Sequence, residues 1–202
     1  SGANFGLHFL VWRNRSLSSY WHDDEFRMYV SVLLIATVIV FGVVQTYTLH
    51  GDAWLENITP VVFQVVSIGT TTGFTSENFS VWPTFVPVML IMLSFIGGCA
   101  GSTGGGMKVI RMLLLFKQGL RELKRLVHTN AHFAVKVGKK PVDNRVIEAV
   151  WGFLSAYIGV FIAMLLLLLA SGIDQVTAYS AVTATLNNLG PGLGEAAQNY
   201  AG

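Results

Sequence analysis

Thr70-Thr71-Thr72-Gly73-Phe74 is the stretch on which the fold turns. It is polar, yet it stands between two apolar segments, residues 60–68 and 81–96. Neither a glycine nor a run of three threonines belongs inside a packed core helix. Such a run can hold strand-like backbone with its carbonyls pointing one way, and a ring of carbonyls replaces the hydration shell of a permeating cation. Taken alone, the run reads more simply as a polar loop between two helices. What favours the ion reading is a second copy, Asn187-Asn188-Leu189-Gly190-Pro191, at the same place in a second hydrophobic unit.

Working outward, composition names the solvent. Hydrophobic residues make up 52% of the 202 residues and charged ones only 12%. Soluble domains carry about 25% charged residues, so an integral membrane protein is expected. The N-terminus lacks the pattern of a signal peptide. It opens on Ser1, in sequence that reads as the end of a helix, so a piece of a larger chain is expected. The single Cys99 leaves no internal disulfide and no cysteine-rich metal site to consider.

Charge gives a topology. The 13 Lys and Arg fall into three clusters, 13–27, 108–125 and 136–145, while Asp52, Glu56, Glu77, Asp174 and Glu195 occupy the loops between. Basic loops stay cytoplasmic, so the clusters face in and the acidic loops face out. A soluble protein with a solvated basic face would not segregate its charge in this way.

Four segments follow. Residues 1–27 hold the inner end of a preceding helix and a cytoplasmic linker. Residues 28–116 hold a span (28–49), a half-helix too short to cross (54–68), the polar loop, and a broken span (79–116). Residues 117–145 form a basic cytoplasmic segment. There Lys117, Arg121, Lys124, Arg125 and His128 share one helical face, suited to lipid or to a docking partner. Residues 146–202 repeat span, outer turn, half-helix (175–186) and polar loop. A crossing needs about 20 apolar residues, which the two half-helices lack. Re-entrant backbone is tolerated only where it lines a cavity or is buried in protein.

The broken span contains Gly97-Gly98-Cys99-Ala100-Gly101-Ser102-Thr103-Gly104-Gly105-Gly106. Each glycine costs a helix about 1 kcal/mol relative to Ala. The run fails the phosphate-binding pattern, because Met107 stands where Lys should follow Gly106. Close helix packing by small residues is one reading. The other is a movable intramembrane break, a gate formed by Gly97, Gly98, Gly101, Ser102, Thr103, Gly104, Gly105 and Gly106. Deletion here is expected to raise flux without changing selectivity.

Gly73 and Gly190 lie 117 residues apart, and the two spans open 119 apart, at Met28 and Ile147. Parallel repeats imply elements arranged around one axis. A half-helix entering from outside aims the negative end of its dipole at the membrane centre. A cation is then favoured without a buried carboxylate. The site expected is a carbonyl site for a weakly hydrated monovalent ion.

Span, half-helix, TTTGF loop and broken span together resemble one repeat of the Trk/Ktr/HKT potassium transporters. The glycine-rich 97–106 run is similar to that family's intramembrane loop in the third repeat, and Asn188-Leu189-Gly190-Pro191-Gly192 to its fourth filter segment. The resemblance covers nearly the whole chain. It implies an all-α membrane fold of four span–pore-helix–filter–span repeats around one pathway. This chain would hold the tail of the second repeat, all of the third, and the fourth without its last helix. It implies K+ as the transported ion, contacted by Thr72, Gly73, Leu189 and Gly190, with Thr71 and Asn188 beside them. It also implies a multi-pass protein of the bacterial inner membrane. The partners implied are the lipid bilayer, a second copy in a homodimer and a cytosolic nucleotide-binding regulatory subunit; no nucleic acid is expected.

Other classes fit less well. An enzyme is not expected: the five histidines are scattered, no HExxH is present, and Ser102 has no evident base. A membrane scaffold subunit would explain the glycines but not two matching half-helices. A Na+-permeable transporter of the same superfamily is the nearer alternative.

Overall fold

The computed structural model describes residues 2–47, 54–83, 85–127, 134–138 and 140–194, with residues 54–57 by backbone alone. The expected outer-side residues Asp52 and Glu195, the Glu56 side chain, and His128 of the basic stripe lie outside what is described.

Eight helices are described: α1 (Phe5–Asn14), α2 (Ser18–His22), α3 (Asp24–Tyr47), α4 (Trp54–Gly69), α5 (Val86–Ile96), α6 (Val109–Val127), α7 (Asn144–Ala170) and α8 (Gln175–Asn187). A 3-10 turn (Phe79–Val81) precedes α5, and two-residue strands β1 (Lys136–Val137) and β2 (Lys140–Pro141) pair antiparallel before α7.

Length separates the helices into two kinds. α3 has 24 residues and α7 has 27, and both are apolar enough to cross a bilayer. At about 1.5 Å per residue they reach roughly 36 and 40 Å, beyond the hydrocarbon thickness of about 30 Å. These are the dimensions of a membrane protein. α4 has 16 residues and α8 has 13, too few to cross. α3 begins at Asp24, earlier than the apolar run at Met28, because Asp24 and Glu25 suit a helix N-terminus.

Local chemistry sets the ends. Asp143 caps α7 by accepting from the Arg145 amide at 3.0 Å. Asp174 caps α8 by accepting from the Thr177 amide at 3.0 Å. The hydroxyl and amide of Thr177 together hold the Asp174 carboxyl below its ordinary range.

One core joins both halves of the chain. Val61, Val65 and Ile68 recur at helical spacing along α4 and meet Ala36, Val40 and Val44 of α3 and Leu90 and Ile91 of α5. Ala184 of α8 and the loop residues Leu189 and Leu193 are buried in the same cluster. A smaller cluster of Leu114, Val135, Ile147 and Val150 packs α6 and the strand pair against α7.

The broken span is indeed interrupted: α5 stops at Ile96 and α6 starts at Val109. The division drawn at 116/117 from charge falls inside α6. The side chains turn polar there, but the backbone continues as helix because Lys, Arg, Glu and Gln are good helix formers. The basic stripe is also partly committed. Lys117 Nζ pairs with Asp24 of α3 at 2.9 Å and donates to the Lys136 carbonyl at 2.9 Å. Arg121 donates to Asn144 of α7 at 3.3 Å, and Arg125 pairs with Glu122 at 3.2 Å.

Candidate functional site

Three loops meet: the one after α4, the one after α8, and the glycine-rich loop between α5 and α6. The first two have the same backbone. After α4, Thr71 is left-handed at φ 53° and Gly73 is positive at φ 82°. After α8, Asn188 is left-handed at φ 53° and Gly190 is positive at φ 97°. The hydrogen bonds correspond as well. Thr71 N donates to Ile68 O at 3.0 Å and Thr72 N to Ser67 O at 2.8 Å. Asn188 N donates to Thr185 O at 3.2 Å and Leu189 N to Ala184 O at 2.8 Å. Every pair is offset by the spacing that separates Gly73 from Gly190.

Both loops leave a helix C-terminus, where orphan carbonyls and the negative end of the dipole collect. They also touch. A Cβ on Gly73 would run into the carbonyl oxygen of Leu189, so glycine is required there for close approach as well as for φ. Leu189 buries its side chain in the shared core, which leaves its backbone toward Gly73. Thr72, Asn188 and Gly190 are exposed, Gly73 half-buried, and Thr71 and Leu189 buried.

The glycine-rich loop packs on both. Gly105 N donates to Thr71 Oγ1 at 2.6 Å. A Cβ on Gly104 would stand 3.1 Å from the Thr70 carbonyl oxygen, and one on Gly105 would run into that of Asn187. Residues 104 and 105 therefore contact both polar loops. Gly101 and Thr103 are exposed, Ser102 is half-buried, and Gly97 and Gly98 lie buried where the loop leaves α5. Ser102 Oγ donates to Cys99 O at 2.6 Å. The Ser102 hydroxyl is thus engaged within the loop.

Several anchors were not visible in the sequence. Glu25 is buried and accepts from Ala100 N at 2.6 Å. Cys99 N donates to Gly2 O at 2.7 Å. Asn187, fully buried, donates from Nδ2 to Ser94 Oγ of α5 at 3.0 Å and accepts from the Tyr157 hydroxyl of α7. Asn187 occupies in the second unit the place of Thr70 in the first, and a polar residue recurring there was the available signal. Lys108 turns back and donates to Ser102 O at 3.1 Å, Ser102 Oγ at 3.4 Å and Gly104 O. Arg111 instead stacks over the Phe153 ring, 4.0 Å from its centroid.

The arrangement is one of oxygen atoms and backbone dipoles. Among the described residues, neither polar loop carries a carboxylate or a cation, and no group of three His, Cys, Asp or Glu converges as a metal site. Such surroundings suit a weakly held monovalent cation better than a proton-transfer reaction.

Comparison with known proteins identifies the family. The chain is 54% identical over 201 residues to the Trk system potassium uptake protein TrkH of Salmonella typhimurium, covering all of this chain and 41% of the relative. It is 34% identical over 203 residues to the Trk system potassium uptake protein TrkG of Escherichia coli K12, with 99% and 41% covered. The crystal structure of the potassium transporter TrkH from Vibrio parahaemolyticus superposes with a TM-score of 0.87 at 50% identity, over 96% of this chain and 42% of that one. The chain therefore spans about two fifths of the length of these relatives. Residues 16–201 match the family model of TrkH, described as cation transport protein, and on that match, with relatives 54% identical over its whole length, the chain belongs to the TrkH family of cation transport proteins.

Proposed function

We propose that this chain supplies two adjacent repeats of a potassium-uptake pathway in the bacterial inner membrane. α3, α4, the 70–74 loop and the interrupted α5–α6 form one repeat; α7, α8 and the 187–192 loop begin the next. Thr72, Gly73, Leu189 and Gly190 offer backbone carbonyls to K+, with Thr71 and Asn188 setting the left-handed turns before them. Residues 97–106 occlude the path and move aside when it conducts. By family likeness the whole protein works as a homodimer under a cytosolic nucleotide-binding subunit (TrkA-like). Lys124, exposed on α6, stays available to it or to lipid, whereas Lys117 is already paired.

The observation that carries this reading is the meeting of the two loops, where Gly73 approaches the Leu189 carbonyl too closely for any Cβ. A left-handed residue with these two hydrogen bonds closes many helices; here it recurs at one constant offset in sequence, with a positive-φ glycine two positions on, as two repeats of one pathway would have it. Contact of Gly104 and Gly105 with both loops supports occlusion, since only a segment at the junction blocks both together.

The test is Rb+ uptake into liposomes by the full-length transporter, with and without residues 101–105. A folded deletion variant should take up Rb+ severalfold faster at an unchanged K+ over Na+ ratio. Equal or slower uptake by a folded variant removes the gate. No Rb+ uptake by the intact transporter would favour a scaffold subunit, and a Na+ preference the other superfamily reading.

A further inference from the structure

Lys108 is a cation folded back into the loop it follows. Its φ is 74°, a left-handed conformation that side-chain-bearing residues rarely adopt. An ammonium has three donors, and Lys108 aims them at Ser102 O, Ser102 Oγ and Gly104 O. Gly104 lies against Thr70, and its neighbour Gly105 against Thr71 and Asn187. The ammonium thus grips the segment that reaches the two polar loops. On the other flank, Glu25 accepts from Ala100 N at 2.6 Å. Between these anchors the chain is mostly glycine, which has little intrinsic preference for one conformation. A loop of that kind stays in one place only if something holds it.

We propose that Lys108 is the latch of the glycine-rich loop. Bonded to Ser102 and Gly104, its ammonium keeps residues 102–105 against the two polar loops and so sets how often the path is occluded. The proposal rests on reading this loop as a gate. Lys108 is a positioning residue: it touches the loop and acts on ion passage through it. The chemistry matches that of the transported ion, since an ammonium held by carbonyl and hydroxyl oxygens is a tethered equivalent of a weakly hydrated monovalent cation. Removing the tethered charge leaves those oxygens without their donor, and the loop loses its reason to stay closed.

The experiment uses the full-length transporter in liposomes. Rb+ uptake is compared for wild type, Lys108→Met, Lys108→Ala, Lys108→Arg and the deletion of residues 101–105, each checked by size-exclusion chromatography. The Met and Ala variants should raise uptake at least threefold with the K+ over Na+ ratio unchanged. The Arg variant keeps charge and donors and should fall between wild type and the neutral variants. Adding n-propylammonium, which replaces what the Ala variant lacks, should slow its uptake again. Tetramethylammonium, equally charged but without donors, should not. If the deletion raises uptake while folded neutral variants do not, the gate stands and the latch is overturned. If the Ala variant is fast but n-propylammonium leaves it unchanged, the loss acts through packing and the latch is overturned. Neutral variants that fail to fold beside a folded Arg variant make Lys108 a folding element and overturn it too. If the deletion also fails to raise uptake, the gate reading falls and the latch with it.

Discussion

The two polar loops share a backbone and differ in what supports it. The loop after α4 is held mainly by hydroxyls close to it. Ser67 Oγ donates to Phe74 O at 2.6 Å, Thr70 and Thr72 share a hydrogen bond at 2.7 Å, and Thr71 receives Gly105 N. The loop after α8 is held by one buried amide, Asn187, which ties it to α5 and α7, and by Ser180, which exchanges hydrogen bonds with Leu193 at 2.9 and 3.0 Å. The difference teaches that what the two units share is a backbone conformation. Each unit reaches it with whatever polar groups its neighbours provide. The first loop leans on the glycine-rich loop; the second leans on helices.

The comparison breaks most sharply at the glycines. Gly73 needs both its φ and the space beside Leu189, whereas a Cβ on Gly190 would meet nothing within 4 Å. Gly73→Ala should therefore lower the K+ over Na+ permeability ratio more than tenfold. Gly190→Ala carries only the backbone cost, about 1–2 kcal/mol, and should lower it less. Equal losses would mean that the close approach of Gly73 to Leu189 is irrelevant.

Next in size is the amide. Asn187→Ala strands the Tyr157 hydroxyl and takes a donor from Ser94 Oγ, which still donates to Ile91 O at 2.6 Å; leaving a buried partner unsatisfied costs about 1–3 kcal/mol. Thermal unfolding in detergent should show it as a lower midpoint. An unchanged midpoint would show that α8 and its loop are held by apolar packing alone.

Thr71→Val keeps the shape of the side chain and removes the acceptor for Gly105 N. The expected cost is about 1 kcal/mol, expressed as faster Rb+ uptake because the glycine-rich loop loses a contact with the first polar loop. Asn188→Ala removes no such acceptor and carries only the left-handed backbone cost, about 1–2 kcal/mol, so it should not speed Rb+ uptake. If both variants conduct alike, the glycine-rich loop does not lean on the first loop in the way described.

The smallest effect is at the inner surface. Lys117→Gln should cost about 0–1 kcal/mol, the usual value of a partly exposed ion pair, and Lys124→Gln nothing measurable in stability. If binding of a cytosolic partner falls only for Lys124→Gln, the free part of the stripe is a docking surface. If it falls equally for both, the α3–α6 contact through Asp24 transmits the loss.

Much of this fold was legible because it follows from local sums. The lengths of α3 and α7, the shortness of α4 and α8, and the interruption at 97–106 come from counting apolar and glycine residues along one stretch. The start of the basic segment, drawn at Lys117 from charge, falls inside α6, since charge changes there while helix propensity does not. The 117-residue offset was visible in Gly73 and Gly190, and the corresponding φ values and hydrogen bonds extend it to Thr71 and Asn188.

The sequence by itself determined the solvent, the kinds of helix and the two glycine-bearing loops that leave short helices, because apolar length, charge segregation and glycine position act within a few turns of chain. Only the tertiary structure decided that Gly73 faces the Leu189 carbonyl, that Gly105 reaches Thr71 and Asn187, and that Glu25 holds Ala100 from 75 residues away. It alone committed Lys117 to Asp24 and folded Lys108 into the loop. These contacts join groups distant in sequence, and a buried polar atom accepts whichever partner the packing brings within about 3 Å. That choice is made by the shared core of α3, α4, α5 and α8, and no stretch of the chain contains it.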